Sequence, residues 1–407
     1  MIKPPRTNHR TRCPIADLAL ALLCLFPGSL FAGTAESLST DFEAYFLERV
    51  AAEEITGAAF AIASPQGVVA TGAAGYTDTS HERPIDENTA FRVASVSKTF
   101  AAGLAGLLVR DGAFTWTDRV VDYVPGFRIK GDASRVRVQD LLGQSTGLIP
   151  HAYDNLIEDG LPLVEIESRY RELSYICTPG DCYSYQNSIF SLIEPVIEAT
   201  TAQPYAQLME ERIFRPLDMR TASIGFEPFM ANPNHARPHV KARGGWKTVP
   251  VQPNYYRVAP AAGVNASVLD MGKWLSAQMG AQPAVLDPVV VEDLTRPRVK
   301  TSRDRYRAHW RDLLSAAYYG LGWRIYRVGE HDIAYHSGWV SGYRADIAWS
   351  RSHGVGVAIL MNVEGSSINE LTTTFWRMAF EQLPALGDPS SQPTSQPVVA
   401  ALAPSGN

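Results

Sequence analysis

The sequence lacks an excess of positive charge, since 37 Lys and Arg stand against 42 Asp and Glu and give a net charge of −5. A chain of this kind is no candidate for nucleic-acid binding, which needs a basic surface. It also lacks internal repeats, and its apolar run at residues 18–26 is too short to cross a bilayer. With 45% hydrophobic residues, the chain can bury a full core and is globular, neither fibrous nor disordered.

The first residues have the order of a secretory signal: basic, then apolar, then small. The basic residues that precede the apolar run are Lys3, Arg6, Arg10 and Arg12. We therefore predict a signal peptide at residues 1–35, cleaved near Ala32 or Ala35, and an exported protein, periplasmic or secreted, without a permanent membrane anchor. Removing this segment takes away four basic residues and Asp17, so the net charge changes from −5 to −8.

Cysteine is scarce, with four copies in 407 residues. Cys13 and Cys24 lie in the predicted signal, which leaves Cys177 and Cys182. An even pair in an oxidising compartment predicts one disulfide that closes a short loop. Two buried thiols are the alternative, because connectivity does not follow from sequence alone.

A short polar stretch before an apolar helix pattern carries the first candidate site. Ser95 and Lys98 are three residues apart, so a helix places them on one face within side-chain reach. The helix is predicted by apolar residues at helical spacing and by a glycine stop, namely Phe100, Leu104, Leu107, Leu108 and Gly112. A serine hydroxyl needs a base to become a nucleophile, and a desolvated lysine with a lowered pKa can be that base. A motif this short also occurs by chance, so it indicates a catalytic site only if other motifs of such a site occur in the same chain.

Two further motifs offer suitable companions. Tyr185 precedes Asn187 by two residues; a phenol beside an ammonium can shuttle protons, and an amide can bind a substrate carbonyl while tethering the lysine. Tyr153 begins a similar triplet, but we favour Tyr185 because a Pro-Gly turn and the predicted disulfide stiffen its segment. The third motif, residues 336–338, ends a predicted strand with a titratable group, a hydroxyl and a glycine that lets substrate approach.

The order of predicted elements indicates the fold class. Strand patterns occur at 57–63 and 68–73, helical patterns fill the middle of the chain, and strand patterns return between residues 322 and 361 before a last helix at 367–383. We therefore expect an α/β (mixed α+β) catalytic domain at 36–384 with its active site at a domain junction. Its predicted parts are a sheet domain from 36–117 and 318–384, a mainly helical insertion at 118–317, and a disordered tail at 385–407.

The three motifs together resemble those of a known family. Ser95-Val96-Ser97-Lys98, Tyr185-Gln186-Asn187 and His336-Ser337-Gly338, in this order, resemble the motifs of the penicillin-recognising serine enzymes, most closely the class C β-lactamase branch. Segments at 141–148, 212–219, 263–271 and 319–323 are similar as well, so the resemblance covers roughly residues 38–384. It implies a β-lactamase/transpeptidase-like fold with an antiparallel sheet flanked by helices.

The resemblance also implies a role for each motif residue. Ser95 would be the acylated nucleophile and Lys98 its proton partner. Tyr185 would be the general base for acylation and would activate water in deacylation, while Asn187 orients substrate and lysine.

The third motif would bind substrate, and the family needs no metal or other cofactor. The implied substrate-binding residues there are His336, Ser337, Gly338 and Trp339. The backbone N–H groups of Ser95 and Trp339 would form the oxyanion hole.

His336 departs from the class C pattern, which has lysine there; histidine is similar to certain D-alanyl-D-alanine peptidases and esterases of the same fold. An unperturbed histidine, with a pKa of about 6.5, is mostly neutral at pH 7 and supports a substrate carboxylate less than lysine does. We therefore expect inefficient β-lactam turnover, unless Arg344 supplies the missing charge.

The sequence thus predicts an exported, monomeric serine hydrolase that acts on a small-molecule or peptide substrate through an acyl-enzyme on Ser95. The expected substrates are β-lactams or peptides ending in D-alanine. The alternatives are a carboxylesterase of the same fold and a penicillin-binding sensor that acylates without turnover.

Overall fold

The computed structural model describes residues 28–80 and 82–386. Most of the predicted signal peptide and nearly all of the predicted tail lie outside the described residues. The first helix, Gly28–Ala52, begins inside the predicted signal peptide and continues past its predicted end. Among the described residues, no helix has the length and apolar character needed to cross a membrane.

The strands of the described residues form one large sheet and two small ones. Their bounds are β1 Gly57–Ser64, β2 Gly67–Gly75, β3 Phe91–Arg92, β4 Ser223–Ile224, β5 His239–Ala242, β6 Gly245–Thr248, β7 Val264–Ala266, β8 Val299–Lys300, β9 Ala316–Tyr319, β10 Arg324–Val328, β11 His331–Val340, β12 Tyr343–Ser350 and β13 Val355–Met361.

The helices lie at both chain ends and through the middle. Their bounds are α1 Gly28–Ala52, α2 Ser97–Arg110, α3 Val120–Tyr123, α4 Val138–Leu142, α5 Asp154–Glu158, α6 Leu163–Ser168, α7 Ile193–Thr201, α8 Tyr205–Met209, α9 Phe226–Ala231, α10 Ala259–Ala262, α11 Val268–Gln278, α12 Pro288–Thr295 and α13 Ser367–Gln382. Short 3₁₀ turns join several of them, including Ala94–Val96 directly before α2 and Ser302–Tyr306 before β9.

The two ends of the chain meet within the large sheet, where β1 pairs with β13. Its eight strands have the order β2-β1-β13-β12-β11-β10-β9-β8, and every neighbouring pair is antiparallel. The register of β1 against β13 runs from Ala58 opposite Met361 to Ala63 opposite Gly356. The predicted mixed α/β class with an antiparallel sheet from both ends is confirmed.

Alternation along the central strands divides the core into two layers. In β1, Ala59 and Ala61 face one hydrophobic cluster, whereas Phe60 and Ile62 face the other. Successive strand side chains point to opposite faces, so a strand buried on both sides is apolar throughout, as β1 is. Helices α1 and α13 cover the second face, and α2 and α11 belong to the first.

Helix α2 lies inside the first layer and is buried along nearly its whole length. Phe100 stacks on Trp274 of α11, with ring centroids 4.4 Å apart. Gly103 and Gly106 allow this close packing, because a Cβ atom there would lie 2.7 Å from Trp274 and 2.5 Å from Val290. The helix therefore brings its first turn, which carries the predicted nucleophile motif, to the edge of the core.

The strand patterns at 57–63 and 68–73 correspond to β1 and β2, those between residues 322 and 361 to β10 to β13, and the last predicted helix to α13. No sequence pattern predicted the small sheet β3-β7-β4, because β3 and β4 have two residues each, too few for an alternation pattern. This sheet matters for the site, since Val93 donates its N–H to the Val264 carbonyl (3.2 Å) just before the nucleophile turn.

Candidate active site

Ser95 lies in the tight 3₁₀ turn that leads into α2. Ala94 has a left-handed backbone (φ 48°), which is uncommon for a residue with a Cβ. The Ser97 hydroxyl donates to the Ala94 carbonyl (2.6 Å) and accepts the N–H of Val264 (2.9 Å), so it ties the turn to β7. The turn presents the half-buried Ser95 side chain to a large cavity.

Lys98 is fully buried, with its amine among three oxygens. Its Nζ lies 2.7 Å from Asn187 Oδ1, 3.0 Å from the Ala261 carbonyl and 3.3 Å from Ser95 Oγ. Burial lowers the pKa of Lys98, which favours the neutral amine. A neutral amine can donate to the first two oxygens and keep its lone pair for the serine proton. The geometry therefore suits Lys98 as the base for Ser95.

Asn187 is held on its other side by a carboxylate that the sequence analysis did not select. Its Nδ2 donates to Asp154 Oδ2 (2.9 Å), which also contacts His151 Nδ1 at 2.9 Å. This contact fixes the amide so that its oxygen faces Lys98. Asp154 is the middle residue of the Tyr153 triplet, so that segment contributes to the site through its aspartate.

The structure brings Tyr185, and not Tyr153, beside the lysine. Lys98 Nζ lies 4.7 Å from the centre of the Tyr185 ring, and the ring lines the cavity. The Tyr153 hydroxyl instead donates to the Arg169 carbonyl (2.9 Å). Gln144 positions the Tyr185 segment: it accepts the Gln186 N–H (2.7 Å) and donates to the Gln186 carbonyl (3.0 Å).

The structure has a disulfide between Cys177 and Cys182. It lies just before the Tyr185 segment, and Cys182 lines the cavity. The predicted pairing of the two cysteines is thus present, at a place where a closed loop can stiffen the approach to the motif.

The third motif lies on β11, next to the nucleophile turn. Gly338 passes so close to Val93 that a Cβ atom would overlap the Val93 carbonyl oxygen. Ser337 lines the cavity, and the backbone of Trp339 follows beside the turn that holds Ser95. This placement is compatible with the predicted oxyanion hole. The Trp339 side chain is 63% exposed at the cavity mouth, where Arg344 stacks on it at 4.9 Å.

His336 is buried and is not among the described residues that line the cavity shared by the other motif residues. Its Nε2 lies 3.0 Å from the Tyr319 hydroxyl. Burial lowers the pKa of His336 well below its ordinary value, and the positive charges of Arg324 and Lys98 add to this effect. His336 is therefore neutral at physiological pH.

Arg324, the first residue of β10, is a further site residue that no sequence pattern predicted. Its guanidinium carbon lies 5.6 Å from the ring centre of Tyr185, and its side chain is 11% exposed. It forms an ion pair with Asp304, and both residues line the cavity with Arg307. The sequence signal was weak: Arg324 follows the family-like segment 319–323, but no motif marks it.

The cavity has a volume of about 1280 Å³ and contains charges of both signs. Asp154 and Glu158 contribute acids from α5, whereas Arg307 and Arg324 contribute guanidinium groups from the sheet side. Among the described residues, no group of His, Cys, Asp and Glu is arranged to hold a metal ion.

Comparisons with known proteins agree with this geometry. The family model described as Beta-lactamase matches residues 42–376. An unguisins hydrolase of Aspergillus campestris is 25% identical over 299 residues, which cover 70% of this chain and 54% of that protein. A D-aminopeptidase of Cereibacter sphaeroides is 25% identical over 317 residues, or 74% of this chain and 55% of that protein. The chain thus spans about half the length of these curated relatives.

A solved structure, that of the octameric penicillin-binding protein homologue from Pyrococcus abyssi, has the same fold. It superposes with a TM-score of 0.72 at 22% identity, covering 85% of this chain and 79% of that one. This similarity supports the fold.

Proposed function

The chain belongs to the Beta-lactamase family of serine hydrolases, and from this premise we propose that it hydrolyses amide bonds of peptides that carry a D-amino acid. The reaction would pass through an acyl-enzyme on Ser95. β-Lactams would acylate the same serine and be released slowly. Export through the predicted signal peptide and a monomeric state are part of the same proposal.

The main support for an acyl-enzyme reaction is one observation: the Lys98 amine lies 3.3 Å from Ser95 Oγ, and two carbonyl-type oxygens hold it there. Burial favours its neutral form, so it has a lone pair for the serine proton. A chance Ser-x-x-Lys helix face would leave the lysine in solvent, whereas this lysine is fully buried.

Acylation then follows from the arrangement. Lys98 takes the proton of Ser95 while Oγ bonds to the substrate carbonyl carbon, and the carbonyl oxygen becomes an oxyanion that backbone N–H groups stabilise. The C–N bond breaks when Tyr185 gives its phenol proton to the leaving nitrogen. Lys98 passes the serine proton on to Tyr185, which restores both groups.

Deacylation reverses these roles with water in place of the amine. Tyr185 passes its phenol proton to the neutral Lys98 amine and takes one proton from the water whose oxygen attacks the ester carbon; Lys98 then holds the proton that Oγ will need. The bond to Ser95 breaks, and Oγ takes the proton back. Because Tyr185 and Asn187 are both in place, turnover is favoured over a permanently acylated sensor.

The substrate class rests on the cavity and on one relative. The volume of about 1280 Å³ exceeds the roughly 300–1,000 Å³ typical of small-molecule sites, so a peptide fits. A relative at 25% identity is named D-aminopeptidase. Neutral His336 gives β-lactam carboxylates weaker support than a lysine would, which favours peptides over β-lactams as the efficiently turned-over substrate.

A carboxylesterase is the second candidate. The neutral His336 and the indole of Trp339, 63% exposed at the cavity mouth, favour an uncharged apolar ester. An ester also has a better leaving group than an amide, so it depends less on proton delivery by Tyr185.

The test is intact-mass spectrometry with benzylpenicillin over time, beside assays with D-alanine p-nitroanilide, its L-isomer and p-nitrophenyl acetate. We expect an adduct on Ser95 that decays slowly, and anilide cleavage that prefers the D-isomer. Ser95→Ala should abolish the adduct and cleavage, whereas Ser366→Ala, an exposed serine outside the cavity, should change neither.

Each other outcome points elsewhere. Rapid ester cleavage without anilide cleavage would establish the esterase. A permanent adduct without turnover of any substrate would indicate a sensor. Labelling that survives Ser95→Ala would remove Ser95 from the mechanism.

A further inference from the structure

The sheet side of Tyr185 is occupied by Arg324. The guanidinium carbon lies 5.6 Å from the Tyr185 ring centre and 5.7 Å from those of Tyr183 and Tyr319. Its side chain is 11% exposed and lines the cavity. A cation within about 6 Å of an aromatic ring is attracted to it, so Arg324 both orients the ring and places a charge beside it.

The other cations near the third motif do not occupy this position. His336 is buried against the Tyr319 hydroxyl and is neutral. Arg344 stacks on Trp339 at the mouth of the cavity. Lys98 contacts Tyr185 from α2, on the nucleophile side. Arg324 is thus a permanent charge next to the Tyr185 ring on the sheet side, since a guanidinium does not titrate in the physiological range.

The charged side chains grouped around Arg324 next to Tyr185 have a net positive charge. Arg324 forms an ion pair with Asp304, whose side chain is 12% exposed, and Arg307 adds a second guanidinium that interacts with both. Two guanidinium groups and one carboxylate leave one net positive charge. The titratable and charged groups that face Tyr185 or Arg324 from neighbouring elements are Lys98, His151, Asp154, Tyr183, Tyr255, Asp304, Arg307, Tyr319, Tyr326 and His336.

We propose that Arg324 is a positioning residue that takes the place of the missing third-motif cation: it holds the Tyr185 ring and stabilises the phenolate left when Tyr185 gives its proton to the leaving group. The inference rests on the proposed function, because it assigns a partner to the proton-transfer step of the acyl-enzyme reaction. It replaces the expectation that His336 or Arg344 supplies this charge.

The proposal predicts a distinctive pH dependence. A protonated His336 would support catalysis at low pH and lose its charge as the pH rises towards 8. Arg324 keeps its charge over the whole range, so the wild-type profile should show no fall between pH 5.5 and 8. The positive charge of Arg324 also helps to lower the pKa of Lys98, so without it the neutral amine should form only at higher pH.

The experiment measures the acylation rate of the full chain with benzylpenicillin, and ester hydrolysis, from pH 5 to 10. Arg324→Met should slow acylation about 10- to 100-fold and move the midpoint of the rising limb up by about one pH unit. Arg324→Lys should restore the midpoint but not the full rate, because lysine keeps the charge and loses the planar stacking. Asp304→Asn should move the midpoint to lower pH.

A matched control lies on the same strand. Arg327 belongs to β10 and pairs with Asp332 outside the cavity, so Arg327→Met should change neither rate nor midpoint. Removing one partner of a buried ion pair can unfold a protein, so the double variant Arg324→Met with Asp304→Asn removes both partners. It should melt like the wild type and show a smaller upward shift of the midpoint.

The outcomes are separable. An unchanged midpoint in Arg324→Met and in the double variant would overturn the inference, even if the rate fell. A midpoint that moves in His336→Gln and not in Arg324→Met would assign the charge to His336 and overturn it as well. If wild-type Ser95 reacts with neither penicillin nor ester, the proposed function fails and the inference fails with it.

Discussion

The two sides of Tyr185 carry basic side chains with different tasks. On the helix side, the Lys98 amine is buried among three oxygens and has a lowered pKa, so it can give and take a proton. On the sheet side, the Arg324 guanidinium is paired with Asp304 and stacked near three aromatic rings. The first group carries protons, whereas the second keeps a constant charge.

The comparison shows why lysine and arginine are not exchangeable here. The Arg324 guanidinium carbon lies 5.6 Å from the Tyr185 ring centre, and at a separation of that order and an effective dielectric constant of about 20 two opposite unit charges, such as a guanidinium and a phenolate, attract by about 3 kcal/mol, before the opposing charge of Asp304 is counted. A group with that task must stay charged. Lys98 must lose its charge to act as a base. Tyr185 therefore needs both a titratable amine on one side and a permanently charged guanidinium on the other.

The largest expected effect comes from the helix side. Lys98→Met should slow acylation of Ser95 by at least about 10³-fold, because no other base lies within hydrogen-bond distance of the serine among the described residues. The fold should be kept or stabilised, since the variant no longer buries an amine. Acylation kinetics with benzylpenicillin and a melting curve check both parts.

Lys247→Met, an exposed lysine of the β6 strand, is the matched control and should leave the rate unchanged. A residual rate within tenfold of the wild type would contradict the assignment. It would mean that Tyr185 alone takes the serine proton.

A smaller effect is expected from the carboxylate behind Asn187. Asp154→Asn should lower the acylation rate about tenfold, because a neutral amide holds the Asn187 side chain less firmly than the carboxylate does. Burial lowers the pKa of Lys98 and the charge of Asp154 opposes this, so the variant should also move the rising limb to lower pH. This shift is opposite to the one expected for Arg324→Met.

Glu158→Gln is the control, because it removes a cavity carboxylate four residues away that contacts Tyr255 and not Asn187. It should change the rate by less than Asp154→Asn does and leave the rising limb in place. Equal effects of the two variants would show that only the total charge of the cavity matters.

Much of the fold follows from sequence periodicity. The apolar runs of β1 and β13 and the buried pattern of α2 are long enough to be recognised, and turn residues bound them. The strands β3 and β4 are too short for any period to appear. They form through pairing with β7, which lies far along the chain.

The same limit applies to the site. Ser95 and Lys98 are one helical turn apart, so their proximity follows from local geometry. Strand alternation places Arg324 and Arg327 on opposite faces of β10 but does not say which face meets the cavity. That depends on the pairing of β10 with β9 and β11, and the burial that keeps His336 neutral depends on the same packing.

The smallest expected effect is on the pH dependence of the unfolding free energy, which reports whether His336 is neutral in the folded protein. The imidazole binds a proton at its ordinary pKa of about 6.5 in the unfolded chain and far less readily in the folded one. The stabilisation that comes from keeping His336 neutral is therefore fully present above pH 6.5. As the pH falls below 6.5, the free energy of unfolding of the wild type should decrease by up to about 1.4 kcal/mol per pH unit because of this group. His336→Gln should lack this loss, so urea unfolding of both proteins at pH 7.5 and 5.5 should show a smaller pH effect in the variant.

Other buried histidines do not obscure the difference. Burial lowers the pKa of His353 to about 4 and also lowers that of His239, but both residues are present in wild type and variant. His309→Asn is the control, because His309 is exposed and asparagine tolerates its left-handed backbone (φ 68°). An identical pH effect in the wild type and in His336→Gln would mean that His336 is protonated in the folded protein. The sheet side of Tyr185 would then hold a titratable charge, and the contrast between its two sides would be lost.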